Sequence, residues 1–297
     1  MNAVFDDTAS LNHPPYQSRR STLAVIQIAG ADATDFLHGQ FSGDVRALRA
    51  GHTLLTAWCS PKGRVLFLPR LLRDAAGEFY ALLPNVQAAA FIKRLRMFML
   101  RAKVQIEDRS ESHCVLVIDG AVTVDEIDLV LGIDGERRWL IAPHQIIASV
   151  MQTLAVPLLD DNSALLSDIR RGEPVLDTLL ADQFLPQELN LDVLAGVSFN
   201  KGCYPGQEIV ARVKFRGAVK RRARRYRVAS STAPASGTRI VGANDAAHGT
   251  VLASAYCAPG VCEVLAVVEL AAGELRLAGE GRALLSALPL PYAITGA

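Results

Sequence analysis

Apolar and polar positions alternate or cluster in ways that divide the first two thirds of the chain into short strands and helices. Thr22–Ala29 reads as a strand, and Asp32–His38 as a short helix with Asp32 placed at its N-cap. The apolar runs His52–Trp58 and Arg64–Leu72 flank Cys59-Ser60-Pro61-Lys62-Gly63, the pattern of two strands joined by a turn. Phe79–Leu83 is another strand. Ala88, Phe91, Ile92, Leu95, Phe98 and Met99 recur at helical spacing and predict a helix over Asn85–Met99. Strands follow at Lys103–Glu107, Cys114–Ile118, Ile127–Leu131 and Arg138–Ile141, then helices at His144–Leu154 and Asn162–Ile169. The polar segment through Arg20, with Pro14–Pro15, predicts a loosely held arm.

Past residue 230 the helical spacing stops. Ser230–Gly237 reads as a loop, and Arg239–Val241, Gly249–Tyr256, Val261–Leu270, Glu274–Leu277 and Arg282–Leu285 as short strands between turns. This predicts an α+β chain with an all-β C-terminal domain, a small barrel or sandwich.

Half of the 297 residues are hydrophobic and 21% are charged, so the chain has a core to bury and is not disordered. The long apolar stretch Val261–Ala272 is broken by Glu263 and Glu269, which argues against a membrane-spanning helix. The acidic opening MNAVFDDTAS lacks the apolar segment of a secretory signal. Five cysteines, an odd number, fit a reducing cytoplasm better than a disulfide framework. Cys257-x4-Cys262 has no neighbouring His or Cys ligand, so no metal site is expected.

The formal charge of +1 hides a concentration of positive charge. Nine basic residues lie between Arg212 and Arg227 with no acid among them, and the rest of the chain is net acidic. A solvated face is the plain reading. Contact with nucleic-acid phosphates is a second, disfavoured for want of an RNA-recognition signature or a series of stacking aromatics.

Val197–Gly217, VSFNKGCYPGQEIVARVKFRG, is the segment richest in chemistry. A strand ending at Phe199, a tight loop over Asn200–Gly206 and a helix from near Pro205 through Arg212 are predicted. Cys203 then precedes a helix N-terminus and lies two residues from Lys201. Positive charge and unpaired backbone N–H groups both favour a thiolate. Gly202 and Gly206 would let the backbone turn sharply or approach a ligand. The bland alternative is a small buried cysteine in a turn.

Lys201-Gly202-Cys203-Tyr204-x-Gly206-Gln207-Glu208, with Val210-Ala211-Arg212 and Lys214-Phe215-Arg216-Gly217, closely resembles the signature of YgfZ-type folate-binding proteins, relatives of the glycine-cleavage aminomethyltransferase. His38–Val45 (HGQFSGDV), Cys59–Arg64 (CSPKGR), Phe184–Leu191 (FLPQELNL) and Leu288–Tyr292 (LPLPY) extend the likeness over nearly the whole chain. The resemblance implies a three-domain ring around a central folate cavity, closed by a C-terminal β-barrel. The implied division is residues 1–50 with 113–218 as a discontinuous folate-binding domain, 51–112 as a second α+β domain, and 219–297 as the barrel. It further implies a cytoplasmic auxiliary role in assembly or repair of iron–sulfur client proteins, and through them in tRNA methylthiolation. Cys203 is then the reactive thiol and Lys201 its activator. Tetrahydrofolate or a derivative is the expected cofactor, with contacts expected from Asp44, Tyr204, Gly206, Gln207, Glu208 and Arg216. The basic run gains a third reading, a site for an anionic ligand such as a folate glutamate tail. A one-carbon (aminomethyl) transferase and a tRNA-binding module are the alternatives.

Two departures separate this chain from the transferases. Their aspartate pair aligns with Gly63–Leu71, where this chain has Val65-Leu66-Phe67-Leu68-Pro69 and no acid. Their pterin-facing glutamate aligns with Arg170, which only donates hydrogen bonds and cannot pair with the pterin N–H and amino groups.

Overall fold

The computed structural model describes residues 14–122, 129–279 and 282–294. The first strand, β1 (Tyr16–Arg19), lies within the segment expected to be a loose arm. It pairs antiparallel with a strand far along the chain, so from Tyr16 onward that expectation is corrected; residues 1–13 lie outside the described part. After β2 (Leu23–Ala29) comes α1 (Ala33–Gln40). Asp32 sits at its N-cap position but makes no side-chain cap; its carboxylate instead accepts from the Lys103 N–H at 2.7 Å.

The two long strands predicted around the Cys59–Gly63 turn each break in two. β3 (His52–Leu55) and β6 (Arg70–Arg73) pair with each other in the main sheet, while β4 (Trp58–Cys59) and β5 (Val65–Phe67) form a separate small hairpin. Pro69 has no N–H to continue the ladder; its carbonyl accepts from the Thr56 N–H at 3.0 Å, and there the chain leaves the sheet. β7 (Phe79–Pro84), α2 (Ala88–Phe98), β8 (Gln105–Asp108) and β9 (His113–Asp119) follow. β10 (Val130–Asp134) and β11 (Arg137–Pro143) form a hairpin; Ile127 and Asp128, the start of the strand expected at Ile127–Leu131, lie outside the described residues. α3 (His144–Thr153) and α4 (Asp161–Arg171) match the helical spacing, and Asp160 caps α4 by accepting from the Ser163 N–H at 2.8 Å.

Nine strands form one sheet in the order β1-β9-β11-β10-β3-β6-β7-β2-β8. Strands from residues 1–50, 51–112 and beyond 113 share it, with a single parallel bridge, Ile133 to His52, joining β10 to β3. One face packs α1 and α2 around Phe41, Trp58, Phe79 and Phe91.

No ladder forms at Val197–Phe199; the expected strand is an extended segment whose Ser198 N–H bonds the Ser42 carbonyl at 2.8 Å. The helix after the cysteine loop, α5, spans Gln207–Arg216, starting two residues later and ending about one turn further on than expected. β12 (Arg221–Ala229), β13 (Arg239–Val241), β14 (Ala247–Ala258), β15 (Val261–Glu269), β16 (Arg276–Leu277) and β17 (Leu285–Leu288) then make an antiparallel sheet in the order β16-β13-β14-β15-β12-β17. As the all-β pattern predicts, it curls into an antiparallel half-barrel, whose two ends meet through the isolated bridge Arg276–Leu284. Leu166 and Ile169 of α4, Phe184, Leu189, Val210 of α5 and Ala223, Leu265 and Val267 of the half-barrel share one buried cluster. That cluster fixes α5 and its preceding loop against the half-barrel.

Candidate functional site

The cysteine loop is held from three sides. Gly206, the N-cap of α5, has φ +79, and a Cβ there would lie 2.4 Å from the Ser60 carbonyl and 2.6 Å from Gly63 Cα. Gly63, with φ +72, would in turn push a Cβ to 2.9 Å from Ile209. The CSPKGR and KGCYxGQE motifs thus meet glycine against glycine, at a separation only backbone can occupy. On the second side, Lys201 Nζ donates to the carbonyls of His38, Phe41 and Gly43 at 2.5, 2.5 and 3.0 Å. His38 is in the last turn of α1 and Phe41 is its C-cap, where carbonyls lack intrahelical partners and favour a cation. The ammonium also lies 5.1 Å from the centre of the Tyr204 ring. Burial lowers the Lys201 pKa to about 8, with nearby Asp44 acting in the opposite direction. On the third side the Tyr204 ring is buried, which raises its phenol pKa and makes it an anchor.

Sequence reasoning gave Lys201 the task of activating Cys203. Its ammonium instead contacts three carbonyls of residues 38–43, so the structure makes it the clamp that ties the loop to α1. Cys203 is exposed, whereas Cys59, Cys114 and Cys262 are buried and Cys257 is half-buried. Burial pushes Cys59 up to about 12 and also raises Cys114, Cys257 and Cys262. Among five thiols, Cys203 is the one a large partner can reach.

The other nominated residues distribute around this loop. Asp44 lies on a shallow hollow with Leu54, Val197, Phe199 and Asn200. Its Oδ1 is 3.3 Å from Nδ1 of buried His38, whose pKa is lowered by burial and by Lys201. Gln207 and Glu208 open α5, with Glu208 exposed, and Arg216 is exposed at its far end. The FLPQELNL and LPLPY motifs supply buried polar joints. Gln187 Nε2 donates to the Val210 carbonyl at 2.7 Å, Asn190 Nδ2 to the Ala223 carbonyl at 2.8 Å, and the Tyr292 hydroxyl to the Gly172 carbonyl at 2.7 Å.

Two cavities border α4, of about 440 and 580 Å³, and share Leu55, Arg70 and Glu173 on their walls. Asp44, Tyr204, Gly206, Gln207, Glu208 and Arg216 line neither. Between the cavities runs an ionic network that sequence reasoning missed. Fully buried Arg137 donates to Asp119 at 2.8 and 3.0 Å and to Asp168 at 2.7 Å; Arg20 pairs with Asp168, and Arg70 with Asp134 and Glu173. Burial acts to raise the Glu173 carboxyl, yet Arg70, Arg137 and Arg171 outweigh it and hold it at about 2. The signal available in sequence was an arginine inside an apolar strand, Arg70 in RLLR.

The smaller cavity carries Arg170. Its volume lies within the range for small-molecule ligands, roughly 300–1,000 Å³. Leu55, Leu166 and Leu194 make an apolar wall. Arg170 is drawn off to Glu263 by bonds of 3.1 and 2.7 Å, while Arg171 keeps a third of its side chain exposed. Of the wall's carboxylates, Asp119, Asp134 and Glu173 pair with arginines; exposed Glu136 has no ion pair among the described residues. The wall thus offers a carboxylate acceptor at Glu136 and a partly exposed guanidinium at Arg171, which itself bonds Glu173 at 2.7 Å.

Among the described residues no helix is long and apolar enough to cross a membrane, and no cluster of His, Cys, Asp or Glu would hold a metal.

No protein-family model matches the chain. It is 32% identical over 304 residues to the tRNA-modifying protein YgfZ of Yersinia enterocolitica, covering 92% of this chain and 91% of the relative. The protein of the same description from Pectobacterium carotovorum is 30% identical, over 92% and 90%. Among solved structures, the glycine cleavage system aminomethyltransferase T from Bartonella henselae superposes with a TM-score of 0.74 at 15% identity, covering 93% of this chain and 85% of that one. That likeness shows a shared mixed α+β fold.

Proposed function

This chain belongs to the YgfZ family of tRNA-modifying proteins, and from that premise we propose that it is a folate-binding auxiliary protein for the assembly or repair of iron–sulfur proteins. Its support of tRNA modification is then indirect, through clients that carry such clusters in a reducing cytoplasm. The observation that carries the reading is the cysteine loop: an exposed thiol on a backbone pinned by the Gly206–Gly63 contact and the Lys201 clamp. A scaffold that rigid, presenting one accessible sulfur, suits an encounter with a protein-sized client.

In this reading the sheet, α4 and the half-barrel surround a central folate cavity. Glu136 accepts from the pterin N–H groups, Arg171 meets a tail carboxylate, and Leu55, Leu166 and Leu194 exclude water from the ring. A bound tetrahydrofolate supplies an oxidisable ring and a one-carbon carrier. Asp44, Tyr204, Gly206, Gln207, Glu208 and Arg216, which line neither cavity along α4, serve the thiol loop and its helix. The strand aligned with the transferases' aspartates offers Phe67, packed on Trp58 and Phe91 in the core, and no acid to hold an aminomethyl nitrogen.

The test is deletion of the gene, with several iron–sulfur enzymes assayed after complementation. Cys203→Ser is expected to fold normally and fail to restore them; full complementation would refute the thiol's role. Calorimetry with tetrahydrofolate is expected to give micromolar affinity or weaker, a binding free energy no more favourable than about −8 kcal/mol. Nanomolar binding would contradict the argument from Arg170, and no binding at millimolar folate would remove the ligand from the function. With purified glycine-cleavage partners, no folate-dependent ammonia release is expected.

A further inference from the structure

The exposed C-terminal half of α5 has the chemistry of a nucleic-acid platform. Phe215 is 68% exposed, an unusual place for a phenyl ring, and stands between Lys214 and Arg216, both exposed. Its ring meets Phe199 edge-on, with centroids 6.0 Å apart at 76°, and Lys214 Nζ lies 5.5 Å from the Phe199 ring centre. Arg212, one turn earlier, is also exposed. Among the described residues no carboxylate lies within ion-pair distance of Arg212, Lys214 or Arg216, and the one acid of the helix, Glu208, is at its opposite end. In contrast, Arg221, Arg222 and Arg225 of the neighbouring β12 pair with Glu188, Asp192 and Glu263.

We propose that Arg212, Lys214, Phe215 and Arg216 form a docking surface for an unpaired segment of RNA, with one base stacked on Phe215. At 3.6 residues per turn Arg212, Phe215 and Arg216 share one side of α5, so two cations border the ring, with Lys214 beside Phe199. A base stacks on an aromatic ring whatever its identity, and flanking cations hold the backbone. Phe199 fixes the ring from behind, so little side-chain freedom is lost on binding. Duplex DNA and duplex RNA hide their base faces, whereas unpaired RNA loops present them. An acidic protein surface would match the cations and leave the exposed ring without a flat partner. This surface goes beyond the proposed folate and client roles, and its test is independent of them.

Fluorescence anisotropy with a labelled, unstructured 20-nucleotide oligoribonucleotide, using the full chain between 50 and 200 mM salt, reads the interaction. With three phosphates neutralised, the slope of log affinity against log salt is expected to be about −2. Phe215→Ala is expected to weaken binding by about 5- to 150-fold with the slope unchanged, and Phe215→Tyr to retain it. The triple variant Arg212→Gln, Lys214→Gln, Arg216→Gln is expected to flatten the slope, with circular dichroism and melting unchanged. A duplex of the same sequence should bind more weakly. The proposal fails if no binding is seen at 50 mM salt, if Phe215→Ala binds like the parent, or if the duplex binds as well as the single strand. It fails in favour of an acidic protein partner if poly-glutamate competes as effectively as RNA.

Discussion

The two halves of the basic run, one on α5 and one on β12, carry the same kind of side chain and meet opposite fates. On β12, Arg222 is 3% exposed and bidentate to Asp192, Arg221 bonds Glu188 at 2.8 Å, and Arg225 bonds Glu263 at 2.8 Å. Glu263 is fully buried, also accepts from Arg170, and has Arg227 at 4.0 Å. On α5 the cations face water. A run of arginines is therefore not a surface feature in itself. Its fate depends on acids delivered from elsewhere: Glu188 and Asp192 by the segment before the cysteine loop, Glu263 by the adjacent strand. Where those acids arrive, the arginines become internal joints between α4, the half-barrel and the FLPQELNL segment. Where none arrives, they stay available to a partner.

The largest expected effect tests the internal half. Glu263→Gln should destabilise the fold by about 3–5 kcal/mol, because Arg170 and Arg225 lose the charge that compensates their burial. Burial acts to raise the Glu263 carboxyl, but Arg170 and Arg225 outweigh it and hold the pKa below the usual value. Its contribution is therefore present above the unfolded carboxylate range and is lost as pH falls through its depressed pKa. Urea unfolding from neutral pH downward checks both points. A loss under 1 kcal/mol at neutral pH would erase the contrast between the two halves.

Next comes the contact between motifs. Gly206→Ala should cost about 2–3 kcal/mol, combining a left-handed φ with overlap on the Ser60 carbonyl. Gly202→Ala, with open space around its Cβ, should stay within about 0.5 kcal/mol. Equal melting shifts for the two variants would show that the loop is not pinned at Gly206.

Lys201 offers a smaller effect with a definite sign. Its pKa is about 8 in the folded protein against about 10.4 for an unperturbed lysine. Between those values the unfolded chain binds more protons than the native one, so this group makes stability rise with pH from about 8 to 10. Lys201→Met should remove that rise. Parallel pH-dependent urea titrations that remain superimposable would contradict the buried-clamp description.

The smallest effect belongs to the exposed half. Arg212→Gln and Arg216→Gln should each change stability by no more than about 0.5 kcal/mol. A larger loss would mean that α5's cations are structural after all, and that the two halves differ less than their surroundings suggest.

Local pattern was enough for most helices and for the strands β2, β7, β9, β14 and β15, because 3.6- and 2-residue periods report which face is buried. It also located the cysteine loop, since Gly206 and the lysine and cysteine before it form a compact motif. It could not show that Pro69 diverts a chain from the sheet, or that Tyr16–Arg19 completes an edge across from β9, because pairing partners far along the chain leave no local period. The role of Lys201 shows the same division. Proximity in sequence suggested activation of Cys203, whereas its contacts are the terminal carbonyls of α1, brought beside it only by folding. Charge completes the pattern: residue type and spacing determined where positive charge is concentrated, and tertiary structure alone decided which arginines meet a buried carboxylate. Coulomb attraction depends on distance through space and on the surrounding dielectric, and neither is written in a linear order of residues.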